Sequence, residues 1–80
     1  MTLTIKYFGA IADVTDKKEE QFQLESAHHD LESVKHELEL QYPGIKNIPY
    51  SVALNKSIAL PEAVIHEHDE LALLPPFAGG

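Results

Sequence analysis

Pro75-Pro76-Phe77-Ala78-Gly79-Gly80 closes the sequence, and it is the one stretch whose residue types suggest chemistry. Proline fixes φ at about −65° and has no N–H, so Pro75 and Pro76 stop a strand and stiffen the chain beyond it. Gly79 and Gly80 lack a Cβ, so the walls of a partner's channel can close on their backbone. Five extended residues reach about 17 Å, at roughly 3.3–3.6 Å each, which is long enough to enter a buried site on another protein. The reactive group that such an arm delivers is the terminal carboxylate of Gly80.

Other candidate groups are weaker. There are five histidines. His28 and His29 are adjacent, so their side chains diverge. His29 and His36 lie two helical turns apart, too far to chelate together. His66 and His68 can point the same way in a turn, but no third ligand follows at a recognisable spacing, so no metal site is expected. Glu19 with Glu20, Glu37 with Glu39, and Asp69 with Glu70 read as a solvated acidic surface. No glycine-rich phosphate loop or nucleophile elbow is present.

Composition narrows the function further. A net charge of −7 argues against nucleic acid, which needs clustered Lys and Arg, and favours a partner with a basic face. The absence of cysteine excludes disulfides, thiolate metal sites and a cysteine-borne persulfide on this chain. No apolar run is long enough to span a membrane, and Met1-Thr2-Leu3-Thr4 lacks the basic and apolar regions of a signal peptide. A cytoplasmic protein that neither enters a membrane nor binds nucleic acid is the expectation.

Eighty residues make one domain with one small core. Thr2 to Phe8 alternates as a half-buried strand, with Leu3, Ile5 and Tyr7 inward and Phe8 on the outer face. Gly9 to Glu20 is a connection, with a short helical turn at Gly9-Ala10-Ile11-Ala12 and a solvated charged turn after it. Gln21 to Leu24 is a second strand, with Phe22 and Leu24 in the core. Asp30 can cap a helix whose stripe is Leu31, Val34, Leu38 and Tyr42, with Leu40 exposed and Pro43-Gly44 as the stop. Ile45 to Pro49 reads as an extended connection. Ser51 to Leu54 is a strand, Asn55-Lys56 a tight turn and Ser57 to Ala59 a short strand. Glu70 to Leu74 is the last strand, with Leu71 and Leu73 inward and Ala72 and Leu74 outward beside Phe8. The first and last strands can lie parallel at the centre of the sheet, with the helix as the crossover layer. Phe8 and Leu74, with Ile58 as a third candidate, would form an outward apolar patch at the end of the domain where the tail leaves, a mark of a protein contact.

The tail, together with Tyr42-Pro43-Gly44-Ile45, Asn55-Lys56-Ser57-Ile58 and Asp69-Glu70-Leu71-Ala72, resembles the small subunit of molybdopterin synthase, the MoaD family of ubiquitin-like sulfur carriers. The likeness runs over nearly the whole chain. It implies an α+β fold of the β-grasp (ubiquitin-like) type, a mixed sheet packed on one main helix over residues 1–74, followed by an extended tail over 75–80. It implies that an E1-like adenylating enzyme consumes ATP to form a transient acyl-adenylate on Gly80, which becomes a thiocarboxylate. The tail Pro75, Pro76, Phe77, Ala78 and Gly79 then threads into the large synthase subunit, which supplies the active site, and sulfur passes to a pterin precursor to build the dithiolene of molybdopterin. The chain itself would be a non-catalytic sulfur donor with no bound cofactor, in a heterotetramer of two small and two large subunits. Phe8, Ile58 and Leu74 match the family's contact surface. Phe77 stands where many relatives have Val, Ala12 near where many have Arg, and His68 where several have Gly at a turn position with φ > 0. A sulfur carrier for thiamine thiazole synthesis, a ubiquitin-related modifier and an interaction module with an inert tail are the alternatives.

Overall fold

The computed structural model describes residues 1–25 and 29–75. The strand β1 (Thr2–Tyr7) buries alternate residues as its sequence dictates, with Leu3, Ile5 and Tyr7 in the core. After it come α1 (Ala10–Thr15), β2 (Glu19–Gln23), the short β3 (His29–Asp30) and the main helix α2 (Leu31–Gln41). A 3₁₀ helix (Pro43–Asn47) leads to β4 (Ser51–Leu54), β5 (Ser57–Ile58), β6 (Val64–Ile65) and β7 (Glu70–Leu74).

The main sheet has the order β2-β1-β7-β4-β5. β1 and β7 run parallel at its centre and the other neighbours are antiparallel. α2 covers one face. The Asp30 side chain accepts a hydrogen bond from the Ser33 N–H at 2.8 Å and so caps the helix. Leu31, Val34 and Leu38 are buried under it, whereas Leu40, on the far side of the helix, is 63% exposed. This is the β-grasp arrangement. Because Leu38 is fully enclosed, Leu38→Ala is expected to cost about 2–5 kcal/mol of stability in chemical denaturation, and an unchanged midpoint would remove the helix from the core.

Several boundaries differ from the sequence reading. β2 begins at Glu19 rather than Gln21, because its register with β1 extends to the pair Lys6–Glu19. Leu24 lies just past the strand, yet it is buried and its N–H donates to the Met1 carbonyl at 2.8 Å. Residues 45–47 are helical rather than extended, and only Ile48 and Pro49 keep the expected extended connection. Proline at the start of a helical turn forfeits no hydrogen bond, and the 3₁₀ helix that it opens drops Ile45 fully into the core. Tyr42 forms the helix end and packs, partly buried, against the same core as the stripe. The apolar run at Val64 and Ile65 pairs with β3 in a second, two-stranded sheet. The final short strand stops at Ile58, although the Ala59 N–H still bonds the Val52 carbonyl at 3.0 Å.

The turns follow the residue chemistry. Asn55 and Lys56 both have positive φ (48° and 77°), as a two-residue hairpin turn of the right twist requires. His68 takes φ 66°, so this turn position does adopt the left-handed conformation. Asn55 also ties two turns together. Its Oδ1 accepts the Glu70 N–H at 2.9 Å and its Nδ2 donates to Asp69 Oδ1 at 3.0 Å. Asp69 Oδ2 in turn accepts the His66 N–H at 2.8 Å. Asp69 is therefore a fastening at the start of β7 and not simply a solvated charge.

Candidate functional site: an apolar sheet face beside the chain's exit

The uncovered face of the sheet carries the side chains that alternate with the core residues. The parallel register pairs Tyr7 with Leu73, so Phe8 and Leu74 follow side by side with the opposite orientation. Further across, Lys6, Ala72, Ala53 and Ile58 lie in one row over four strands. Phe8 is 44% exposed and Ile58 66%, while Leu74 is half-buried. Ala53 and Ala72 supply a low apolar floor between the larger residues. The sequence reading named Phe8, Leu74 and Ile58 and overlooked the two alanines, whose role shows only once the register places them between strands. Lys6 and Glu70 mark the margin of the patch with an ion pair at 3.4 Å.

β7 ends at Leu74 and the chain leaves the sheet at Pro75. Gly9 sits against this exit. Its φ of +57° disfavours a side chain, and a Cβ there would lie 3.0 Å from Pro75 Cγ. Gly9 therefore sets how closely Pro75 can approach the end of β1. The sequence signal was a lone glycine directly after a regular strand. The expectations for Pro76, Phe77, Ala78, Gly79 and Gly80 concern residues outside those described.

On the covered side, one carboxylate is less solvated than the sequence suggested. Glu20 Oε2 accepts hydrogen bonds from the Tyr7 hydroxyl at 2.5 Å and the Tyr42 hydroxyl at 2.6 Å, and Oε1 from Lys17 Nζ at 3.2 Å. Lys17 Nζ also donates to Tyr42 Oη at 3.1 Å, and the two tyrosine rings meet edge to face at 5.9 Å. Burial, then the hydrogen bond to Glu20, pushes the Tyr7 phenol far above its ordinary range, so it stays protonated. For Glu20, burial alone would raise the pKa. The hydrogen bonds from Tyr42, Tyr7 and Lys17 outweigh it and hold the carboxylate below its ordinary 4.5. The cluster pins β2 and the loop before it to the end of α2. A depressed pKa means that this support is complete above pH 4.5 and is lost as the pH falls through the folded-state value. Glu20→Gln is therefore expected to lower the urea midpoint at about pH 7 and to narrow its difference from wild type at about pH 3. An equal loss at both pH values would mean that the charge of Glu20 contributes nothing.

Among the described residues, no group of three or more His, Cys, Asp or Glu side chains is placed to hold a metal. His66 and His68 are exposed, with His66 Nδ1 3.9 Å from Asp69 Oδ2. Among the described residues, no helix is long and apolar enough to cross a membrane. What the described surface offers chemically is a place to dock and an exit for the chain beside it.

That combination, on a β-grasp scaffold, defines a ubiquitin-like carrier domain. Residues 5–80 match the model of the ThiS family, and the chain belongs to that family of ubiquitin-like sulfur carriers. Its fold is similar to that of a putative molybdopterin converting factor, subunit 1, from Pyrococcus furiosus, with a TM-score of 0.87 and 15% identity over 96% of this chain and 99% of the other. It is similar to SAMP1 from Haloferax volcanii, with a TM-score of 0.85 and 20% identity over the full length of both chains. It also resembles a chain in the complex of subunits 1 and 2 of the molybdopterin-converting factor from Helicobacter pylori, with a TM-score of 0.71 and 22% identity over all of both.

Proposed function

We propose that this chain is the sulfur-carrying small subunit of molybdopterin synthase, with Gly80 as the residue that bears the sulfur. The observation that carries the reading is the position of the apolar patch. Phe8, Leu74 and Ile58 share the open face of the sheet, and the chain leaves that sheet directly after Leu74. A partner that docks on the patch is therefore placed to receive the residues beyond Pro75. The Helicobacter pylori complex of two subunits supports a large-subunit partner of this kind.

The chemistry follows from the terminal carboxylate. A carboxylate is a poor electrophile. An E1-like enzyme transfers AMP from ATP to Gly80, releasing pyrophosphate and forming an acyl-adenylate. Sulfide released by a sulfur donor then attacks the acyl carbon, AMP leaves, and the thiocarboxylate remains. Its sulfur is soft and nucleophilic, and the narrow Gly79-Gly80 backbone can present it inside a buried pocket. The sulfur bonds to the pterin precursor in place of an oxygen substituent, and water then cleaves the acyl–sulfur bond, which restores the Gly80 carboxylate. Acid–base groups come from the large subunit, and no cofactor is bound by the small one. Two small and two large subunits form the synthase.

The test is to append one residue after Gly80 and measure dithiolene formation with the activating enzyme, ATP, a sulfur donor and the large subunit. The carrier reading expects complete loss of activity with unchanged binding of the folded domain. Full activity of the extended chain would leave only an interaction module. Co-elution with a thiazole synthase and not with the molybdopterin synthase large subunit would instead assign the carrier to thiamine thiazole synthesis.

A further inference from the structure

The two edges of the main sheet are built differently. β5 is two residues long, which leaves little for another strand to pair with. β2 runs for five residues, and no described element lies beyond it in the sheet. The Tyr7 N–H donates to the Lys18 carbonyl at 2.8 Å, and the Leu24 N–H donates to the Met1 carbonyl at the same distance. Even-numbered residues of β2 thus face β1. Thr4, opposite Gln21, turns its N–H the other way, to the Asp69 carbonyl at 3.0 Å. The alternation of an antiparallel ladder then directs the N–H and C=O of Glu19, Gln21 and Gln23 outward from the sheet. A row of outward donors and acceptors over about 17 Å is a template for an added strand. Natural edges are blunted by charged side chains, proline or a bulge; β2 carries Glu19 and Glu20 but no proline and no bulge.

Between this edge and α2 lies a groove of about 380 Å³ lined by Gln23, Leu24, Glu25, His29 and Glu37. Glu25 and Glu37 are both exposed, and no Lys or Arg of this chain is among the lining residues. The groove reaches Glu37 on the helix side of the sheet, and β2 and Ile58 stand at opposite ends of the strand order.

We propose that the β2 edge is a second docking site, which takes an extended Lys- or Arg-bearing segment of a partner protein as a sixth strand. Backbone pairing with Glu19, Gln21 and Gln23 supplies the register. Cationic side chains on alternate positions reach the carboxylates of Glu25 and Glu37. A second copy of this chain is a poor occupant, because it brings another net charge of −7 and the same two carboxylates to the contact. The N-terminal end of this edge adjoins Phe8, with which Glu19 lines one surface pocket, whereas Gln23 and the acidic groove lie at its other end.

The probe is an end-blocked octapeptide that alternates Val and Arg, titrated into the full chain at low salt and followed through backbone amide signals. The expected result is saturable shifts and slowed exchange centred on residues 19, 21 and 23, with little change at Ile58 and Leu74. N-methylation of alternate peptide residues should weaken binding about tenfold, since it removes backbone donors on one edge of the peptide. Exchanging Arg for Glu in the peptide should abolish binding. Gln21→Pro, which removes one outward N–H without breaking the ladder to β1, should weaken binding by about tenfold as well. Glu37→Lys should weaken it and reduce its salt dependence. If Gln21→Pro disturbs the fold, the methylated peptide tests the same pairing from the other side. Shifts confined to the Phe8 face, affinity indifferent to N-methylation, or a dimer through β2 seen by sedimentation equilibrium would each overturn the proposal.

Discussion

Replacing Gly79 with Val, or removing Gly80, is expected to abolish sulfur delivery while the domain stays folded. The described core closes with Leu71 and Leu73 of β7. A β-branched side chain at Gly79 adds bulk and restricts φ and ψ where a channel must close on bare backbone. Deletion of Gly80 draws the carboxylate back by about 3.3–3.6 Å. Misplacement by about 1 Å can already cost about a hundredfold in a displacement reaction, so the truncated chain should show no measurable turnover. The check is pterin-precursor conversion with each variant, beside its thermal unfolding curve. Full turnover by a folded chain lacking Gly80 would take the chemistry away from the tail.

Phe8→Asp is expected to weaken binding to the large subunit by more than about tenfold, because a charge placed in the apolar centre of an interface is desolvated without a partner. Phe8 is nearly half exposed and lies just past the end of β1, so the change should leave stability close to wild type. Ile58→Asp should behave alike. Leu74→Asp should not, because Leu74 is already half-buried against the sheet, and a carboxylate there is expected to lower stability as well as binding. Calorimetric titration and denaturation of the three variants separate these outcomes. Unchanged affinity in a folded Phe8→Asp chain would show that the partner docks elsewhere.

Much of this was legible in the residues. The alternation in Thr2–Tyr7 and Glu70–Leu74 fixed which side chains face inward, and with it the outward pair of Phe8 and Leu74. The spacing of Leu31, Val34 and Leu38 behind Asp30 fixed the helix. What escaped depended on contacts between distant segments. Glu20 reads as one more acid in a charged turn, since nothing in its neighbourhood shows that the Tyr7 and Tyr42 hydroxyls converge on it. Val64 and Ile65 are too short to declare a strand, and only pairing with His29 and Asp30 makes them one. Ile45 follows a helix stop, so its burial in a 3₁₀ turn gives no periodic signal. The open edge of β2 is a property of strand order, which no local pattern encodes.

The most direct measurement on the central claim is the intact mass of the chain after incubation with its activating enzyme, ATP and a sulfur donor. The account predicts a gain equal to one oxygen-to-sulfur exchange, mapped by fragmentation to Gly80 and dependent on ATP. A chain of unaltered mass under conditions that activate an authentic carrier, or a sulfur located anywhere else on it, would contradict the account.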